Sequence, residues 1–150
     1  MQNTRNLDGL AGAMLDLLSF LNSPQRDDAL LREAGVSLDR ALFPLLVILG
    51  VRGALGVAEL ADQVGRDHTT VSRQLAKLES LDLVARESGD DRRRRAATLT
   101  SAGKKIVRAI TQARRRLLSK ALAQWSETDR ASLAALNRRF ADALMALART

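Results

Sequence analysis

Residues 57–80 read "VAELADQVGRDHTTVSRQLAKLES", and the spacing of their apolar residues decides the fold. Val57, Leu60, Ala61 and Val64 fall on one face of a two-turn helix, which Gly65 ends. The turn Gly65-Arg66-Asp67 leads into a second helix, with Asp67 placed to cap it. Val71, Leu75 and Leu78 then follow at i, i+4, i+7, and Leu81 continues the stripe. Thr69, Thr70, Arg73 and Lys77 take the opposite face, with Ser72 and Gln74 on its flanks. A short helix, a tight glycine-containing turn and a longer second helix form a helix-turn-helix pattern.

The segment after this helix pair reads as a wing. Residues 83–88 read as a strand and Ala96–Leu99 as its return, separated by a Gly-Asp turn signal and four consecutive arginines, Arg92 to Arg95. A block of like charges on its own is a solvated face or a tail. At the tip of a hairpin directly after a helix-turn-helix it is placed to meet a minor groove or a phosphate ridge.

Charge supports that placement. The net charge is +7, and residues 66–116 hold 14 Lys/Arg against 6 Asp/Glu, so the whole excess sits in the middle third. Clustered positive charge implies a polyanion, nucleic acid before an anionic membrane. Arginines outnumber lysines 20 to 4, which suits bidentate phosphate and base contacts and equally follows from a GC-rich coding genome. Single strands are disfavoured, because the four aromatics all lie outside the basic segment and offer it no stacking platform.

Composition narrows the remaining classes. At 150 residues, 46% hydrophobic and 27% charged, the chain is an ordinary globular domain. It has no cysteine and one histidine, which removes disulfides, thiolate zinc sites and thiol redox sensing, and no cofactor or metal is expected. One histidine inside a recognition helix builds no nucleophile–His–acid set, and no Walker-type loop is present, so an enzyme is not expected. The longest uncharged run, Ala41 to Val51, is too short to span a bilayer. Asp8 and Asp16 interrupt the N-terminal apolar pattern, so no signal peptide is read and a cytoplasmic location is expected.

The chain ends carry more apolar helix than one small winged domain uses. Leu7, Leu10, Met14, Leu17, Leu18 and Leu21 mark a first helix that stops near Asn22-Ser23-Pro24. A short helix through Leu30 and Leu31 closes at Gly35. Ser37 is placed to cap another running to about Leu49 and closed by Gly50, with Pro44 inside it either kinking it or removing a backbone hydrogen bond. After the wing, Thr100 caps a long helix whose stripe of Ile106, Ile110, Ala113, Leu117 and Ala121 runs to about Trp125. A final helix carries Leu133, Leu136, Phe140, Leu144 and Leu147, a helix-pairing seam. The expected organisation is dimerisation by 1–36 and 101–150, with a winged helix-turn-helix at 37–100. The dimerisation residues are then Leu10, Met14, Leu17, Leu133, Leu136, Phe140, Leu144 and Leu147. The fold class is mostly α with a small β-hairpin wing.

Taken together, the "TTVSRQLAKLE" helix, the Asp-x-Arg wing at Asp91-Arg92-Arg93 and "LTSAG" opening the next helix resemble the MarR family of transcriptional regulators over essentially the whole chain. The resemblance implies a homodimer on a pseudo-palindromic double-stranded DNA operator. It usually implies repression, released when a small aromatic or anionic effector enters a crevice between the dimerisation and DNA-binding regions. It places the helix from His68 to Leu81 in the major groove, pairs Asp91 with Arg93, and sends Arg93 or Arg94 to the minor groove. His68 stands where relatives often have proline, and Pro44 lies in a helix that is often uninterrupted.

The expected DNA-binding set is thus His68, Thr69, Thr70, Ser72, Arg73, Gln74 and Lys77 on the helix, and Asp91, Arg92, Arg93, Arg94 and Arg95 on the wing. Arg73 suits a bidentate guanine contact and Lys77 a phosphate. Thr69, Thr70 and Ser72 either bond DNA or support the helix start. His68 reads as a first-turn surface residue, and Arg114-Arg115-Arg116 as solvated. Phe20, Phe43 and Trp125 are core residues or, failing that, the lining of an effector crevice. Two rival readings are an architectural DNA binder without operator choice and a protein–protein module whose arginine wing docks an acidic partner.

Overall fold

Pro24 and Pro44 sit where a helix tolerates proline, and with two glycines they fix how the first half of the chain is divided. The computed structural model describes residues 1–86 and 96–150, which form seven α-helices and one two-stranded antiparallel sheet. By contact the chain divides into two compact units, Met1–Ala113 and Arg114–Thr150.

In the first unit, α1 (Gln2–Leu21) is followed after a two-residue turn by α2 (Pro24–Ala34), which Pro24 opens. The first-turn N–H that proline lacks has no helical acceptor in any case. Gly35 closes α2 with φ +69. The helix expected from Ser37 is shorter and begins later. Residues 37–42 are turn and coil, and α3 (Phe43–Arg52) carries Pro44 in its first turn, so proline starts this helix and does not kink it. Gly50 does not close it either. A Cβ there would lie 2.8 Å from Val107 Cγ1 of α6 (Ser101–Ala121), so the glycine permits a close helix approach, and α3 ends at Gly53 with φ +79.

α4 (Val57–Val64) and α5 (His68–Ser80) follow as the sequence predicts, with Gly65 at φ +67 between them. Strand β1 (Val84–Arg86) pairs antiparallel with β2 (Ala97–Leu99) in the register Val84↔Leu99, Ala85↔Thr98, Arg86↔Ala97. The sequence reading did not include a third partner. Leu55, between α3 and α4, exchanges backbone hydrogen bonds with Ala97, at 2.7 and 3.2 Å. The root of the wing is thereby tied to the helix-turn-helix. Thr100 caps α6 as expected, its hydroxyl oxygen accepting from the Gly103 N–H at 3.0 Å. It also clasps the α5–β1 turn, donating its hydroxyl to the Asp82 carbonyl (2.6 Å) and its N–H to that of Leu83 (3.1 Å).

The core of this unit is wholly apolar among the described residues. Leu45, Leu46 and Leu49 from α3, Leu60 from α4, and Val71, Leu75 and Leu78 from α5 meet Leu83, Val84 and Ala97. A smaller cluster of Leu31, Phe43 and Ile110 joins α2, α3 and α6. In the second unit, α6 ends at Ala121, short of the expected Trp125, and a turn leads to α7 (Glu127–Ala148). The Ser126 hydroxyl caps α7, accepting from the Asp129 N–H at 3.0 Å, and Arg130 donates twice to the Leu122 carbonyl, at 2.6 and 3.0 Å.

Candidate nucleic-acid interface

Burial of Val71, Leu75 and Leu78 at helical spacing fixes the rotation of α5 about its axis. Thr69, Arg73 and Lys77 then form a row on the outer face, with His68 and Ser72 beside it, and all five are exposed. No acidic residue lies between His68 and Leu78, so this surface offers donors and positive charge. Its N-terminus is held firmly. One Asp67 carboxylate oxygen accepts from the Thr70 N–H (2.9 Å) and the other from the Thr70 hydroxyl (2.6 Å). Those bonds, the hydroxyl bond foremost, hold the Asp67 carboxyl below the usual carboxylate range, with a smaller contribution from the Arg73 charge.

Two expected contact residues are engaged inside the protein. Thr70 is half-buried and bonded to the cap, which favours its helix-support reading. Gln74 is half-buried, and its side-chain oxygen accepts from Arg66 Nη1 at 2.8 Å. The same Nη1 donates to the Ala41 carbonyl at 2.6 Å. Arg66 was absent from the expected site. Its only sequence signal is a long cation in the helix-turn-helix turn, within reach of a glutamine two turns along the next helix.

Among the described residues the outermost pair of the wing is Arg86 with Ala97. Asp91 and Arg92, Arg93, Arg94 and Arg95 lie outside the described residues. The terminal helices are exposed. None of the residues of α1 is buried, Leu10, Met14 and Leu17 included, and on α7 Leu133, Leu136, Leu144 and Leu147 face solvent with Phe140 half-buried.

Phe20, Phe43 and Trp125 have different surroundings. Phe43 is core, against Leu31 and Ile110. Phe20 is exposed with the Arg26 guanidinium 4.8 Å over its ring, and Trp125 is exposed in the second unit. A separate open cavity of about 550 Å³ lies among the end of α3, β2 and the first turns of α6, with Leu49, Leu99 and Val107 as apolar lining and Lys104 and Arg108 as cations. Among the described residues no helix is long and apolar enough to cross a membrane.

Residues 38–95 match the MarR family. A 95-residue stretch, 63% of this chain, is 35% identical to the uncharacterized HTH-type transcriptional regulator YxaD of Bacillus subtilis (strain 168); the match spans just under two thirds of that protein, 66%. Among solved structures, the chain is similar to a MarR family protein from Bacillus stearothermophilus, with a TM-score of 0.80, 21% identity and coverage of 95% of this chain and 97% of that one. It also resembles RV1404 from Mycobacterium tuberculosis, with a TM-score of 0.70, 25% identity and coverage of 91% and 92%.

Proposed function

We propose, for a chain that these matches place in the MarR family, that it regulates transcription by binding double-stranded DNA as a homodimer. The observation that carries this reading is the acid-free outer row of α5, where Thr69, Arg73 and Lys77 project from a helix whose other face is locked in the core. An α-helix of this length fits the major groove, and an outward arginine there pairs bidentately with guanine. The four wing arginines add phosphate and minor-groove attraction. The segments 1–36 and 101–150 supply the dimer contact, supported by the exposed apolar faces of α1 and α7.

The finer reading is a repressor released by a small effector, supported by the cavity that Leu49, Leu99, Val107, Lys104 and Arg108 line between α3, β2 and α6. A two-fold dimer then meets an inverted repeat with half-sites about 10–10.5 bp apart on one face of the duplex. Selection from a random-sequence duplex pool, followed by footprinting of the winner, tests the reading. A dyad-symmetric footprint is the expected result, and uniform protection of every sequence favours an architectural binder.

A further inference from the structure

We propose that Arg66 is a positioning residue, whose guanidinium sets the aim of α5 on DNA by tying Gln74 to the Ala41 carbonyl, and that neither Arg66 nor Gln74 reads or grips DNA itself. The inference rests on the reading of α5 as the DNA-contacting helix.

Three separate pieces of chain meet at this guanidinium. Arg66 stands in the turn between α4 and α5, and its own N–H is fixed by the Ala61 carbonyl of α4 at 3.1 Å. Its Nη1 reaches Ala41, just before α3, at 2.6 Å and Gln74, two turns into α5, at 2.8 Å. Both bonds are charge-assisted and partly buried, which makes them short, directional and costly to break. The Ala41 end is itself held, because the Ala41 N–H donates to the Asp39 carboxylate at 2.9 Å and the Leu42 N–H to the Asp39 carbonyl at 3.0 Å. The apolar stripe of α5 fixes its rotation only as finely as methyl groups pack. The clasp adds a directional constraint at Gln74, immediately beside Arg73, and a contact residue needs its geometry held to about 10–20° to stay productive.

The half-buried position and orientation of Gln74 also disfavour it as a base reader. Glutamine recognises adenine by accepting from N6 and donating to N7 at once. Here its oxygen is engaged by Arg66 on the inner flank of the helix, so discrimination falls to Arg73. Arg66, half-buried with Nη1 between two carbonyls, adds to the net charge without offering that nitrogen to a phosphate.

The test uses the full chain and the highest-affinity duplex it selects from a random pool, with a scrambled duplex as reference, titrated at several salt concentrations. Arg66→Met and Gln74→Met should each lose about tenfold on the selected duplex and far less on the scrambled one. The double variant should be no worse than Arg66→Met, since both changes remove one clasp. The slope of log affinity against log salt should not change. If Arg66→Met instead weakens both duplexes equally and flattens that slope by about 0.9, Arg66 is a phosphate contact and the proposal fails. Should Arg66→Met lose its helical signal, Gln74→Met carries the test alone, and an undiminished preference in that variant overturns the proposal. A parent chain that prefers no duplex over scrambled DNA defeats the DNA-reading premise, and the positioning role with it. That failure is visible before any variant is made.

Discussion

Helices α5 and α7 both carry apolar stripes at 3–4 spacing, and they come to opposite ends. On α5, Val71, Leu75 and Leu78 are fully buried. On α7 nothing is buried, and Leu136 and Leu147 remain 57% and 71% exposed. The difference lies in what surrounds the stripe. α5 is flanked within the chain by α4 and β1, whose Leu60 and Val84 complete its core. A row such as Leu133, Leu136, Leu144 and Leu147 is larger than a soluble monomer normally leaves in water. One stripe is satisfied by its own chain, and in the proposed homodimer the other is met by a second copy. The outer face of α5 is also left open, but with Arg73 and Lys77 on it the partner it suits is an anion.

The largest effects should come from attacking the satisfied side. Leu75→Ala empties a fully buried site and should cost about 2–5 kcal/mol of unfolding free energy in denaturant titration. Gly103→Ala should be as damaging, because a Cβ there collides with the Leu83 carbonyl oxygen, and that carbonyl already accepts from Thr100. If both variants melt like the parent, the core is looser than its burial implies.

The unsatisfied side should respond in assembly. Leu136→Glu combined with Leu144→Glu places charges in the α7 row without touching a buried residue. Light scattering at micromolar concentration should give twice 16.3 kDa for the parent and 16.3 kDa for the variant, with the helical signal largely kept. A parent that runs as a clean monomer breaks the comparison, since α7 would then tolerate exposure unaided.

The polar open face should respond in discrimination. Arg73→Ala should cost the selected duplex about 1–3 kcal/mol more than random DNA. Arg94→Ala should weaken both alike and flatten the salt slope by about 0.9 if the lost contact is a phosphate. Identical behaviour of the two variants would leave α5 with no special role in reading sequence.

Legibility in the sequence divides along the same line. The helix-turn-helix can be read because every signal in it is local: the Val57–Val64 face, Gly65, the Asp67 cap and the stripe from Val71. Pro44 and Gly50 mislead because their meaning is tertiary. Proline looks alike in the first turn of a helix and in its middle, and nothing near Gly50 announces that Val107 packs against it. The Leu55–Ala97 bridge and the Arg66–Gln74 bond link residues 42 and 8 positions apart through geometry that no periodicity encodes. Phe43 reads as core before crevice, and packing against Leu31 and Ile110 makes it core; Phe20 and Trp125 carry the same reading and are exposed.

The smallest expected effect concerns the cap that starts α5. Asp67 accepts two hydrogen bonds from Thr70 as a carboxylate, and its folded pKa is therefore depressed. A depressed carboxylate contributes stability that is fully present above its unfolded pKa, about 3.9, and is lost as pH falls through the lower folded value. Asp67→Asn keeps one acceptor oxygen for the Thr70 N–H and cannot titrate. Its melting temperature should therefore lie slightly below the parent's by a constant margin from pH 7 to about pH 5. The margin should shrink as pH drops below about 4, where only the parent loses its cap. Thr70→Val removes the hydroxyl bond, the larger cause of the depression, so the Asp67 carboxyl followed by NMR should titrate at a higher pH than in the parent. If the margin is flat down to about pH 2.5 and the Asp67 midpoint does not move in Thr70→Val, the cap is too weak to hold the helix start, and the outer row of α5 is aimed by its apolar stripe and the Arg66 clasp alone.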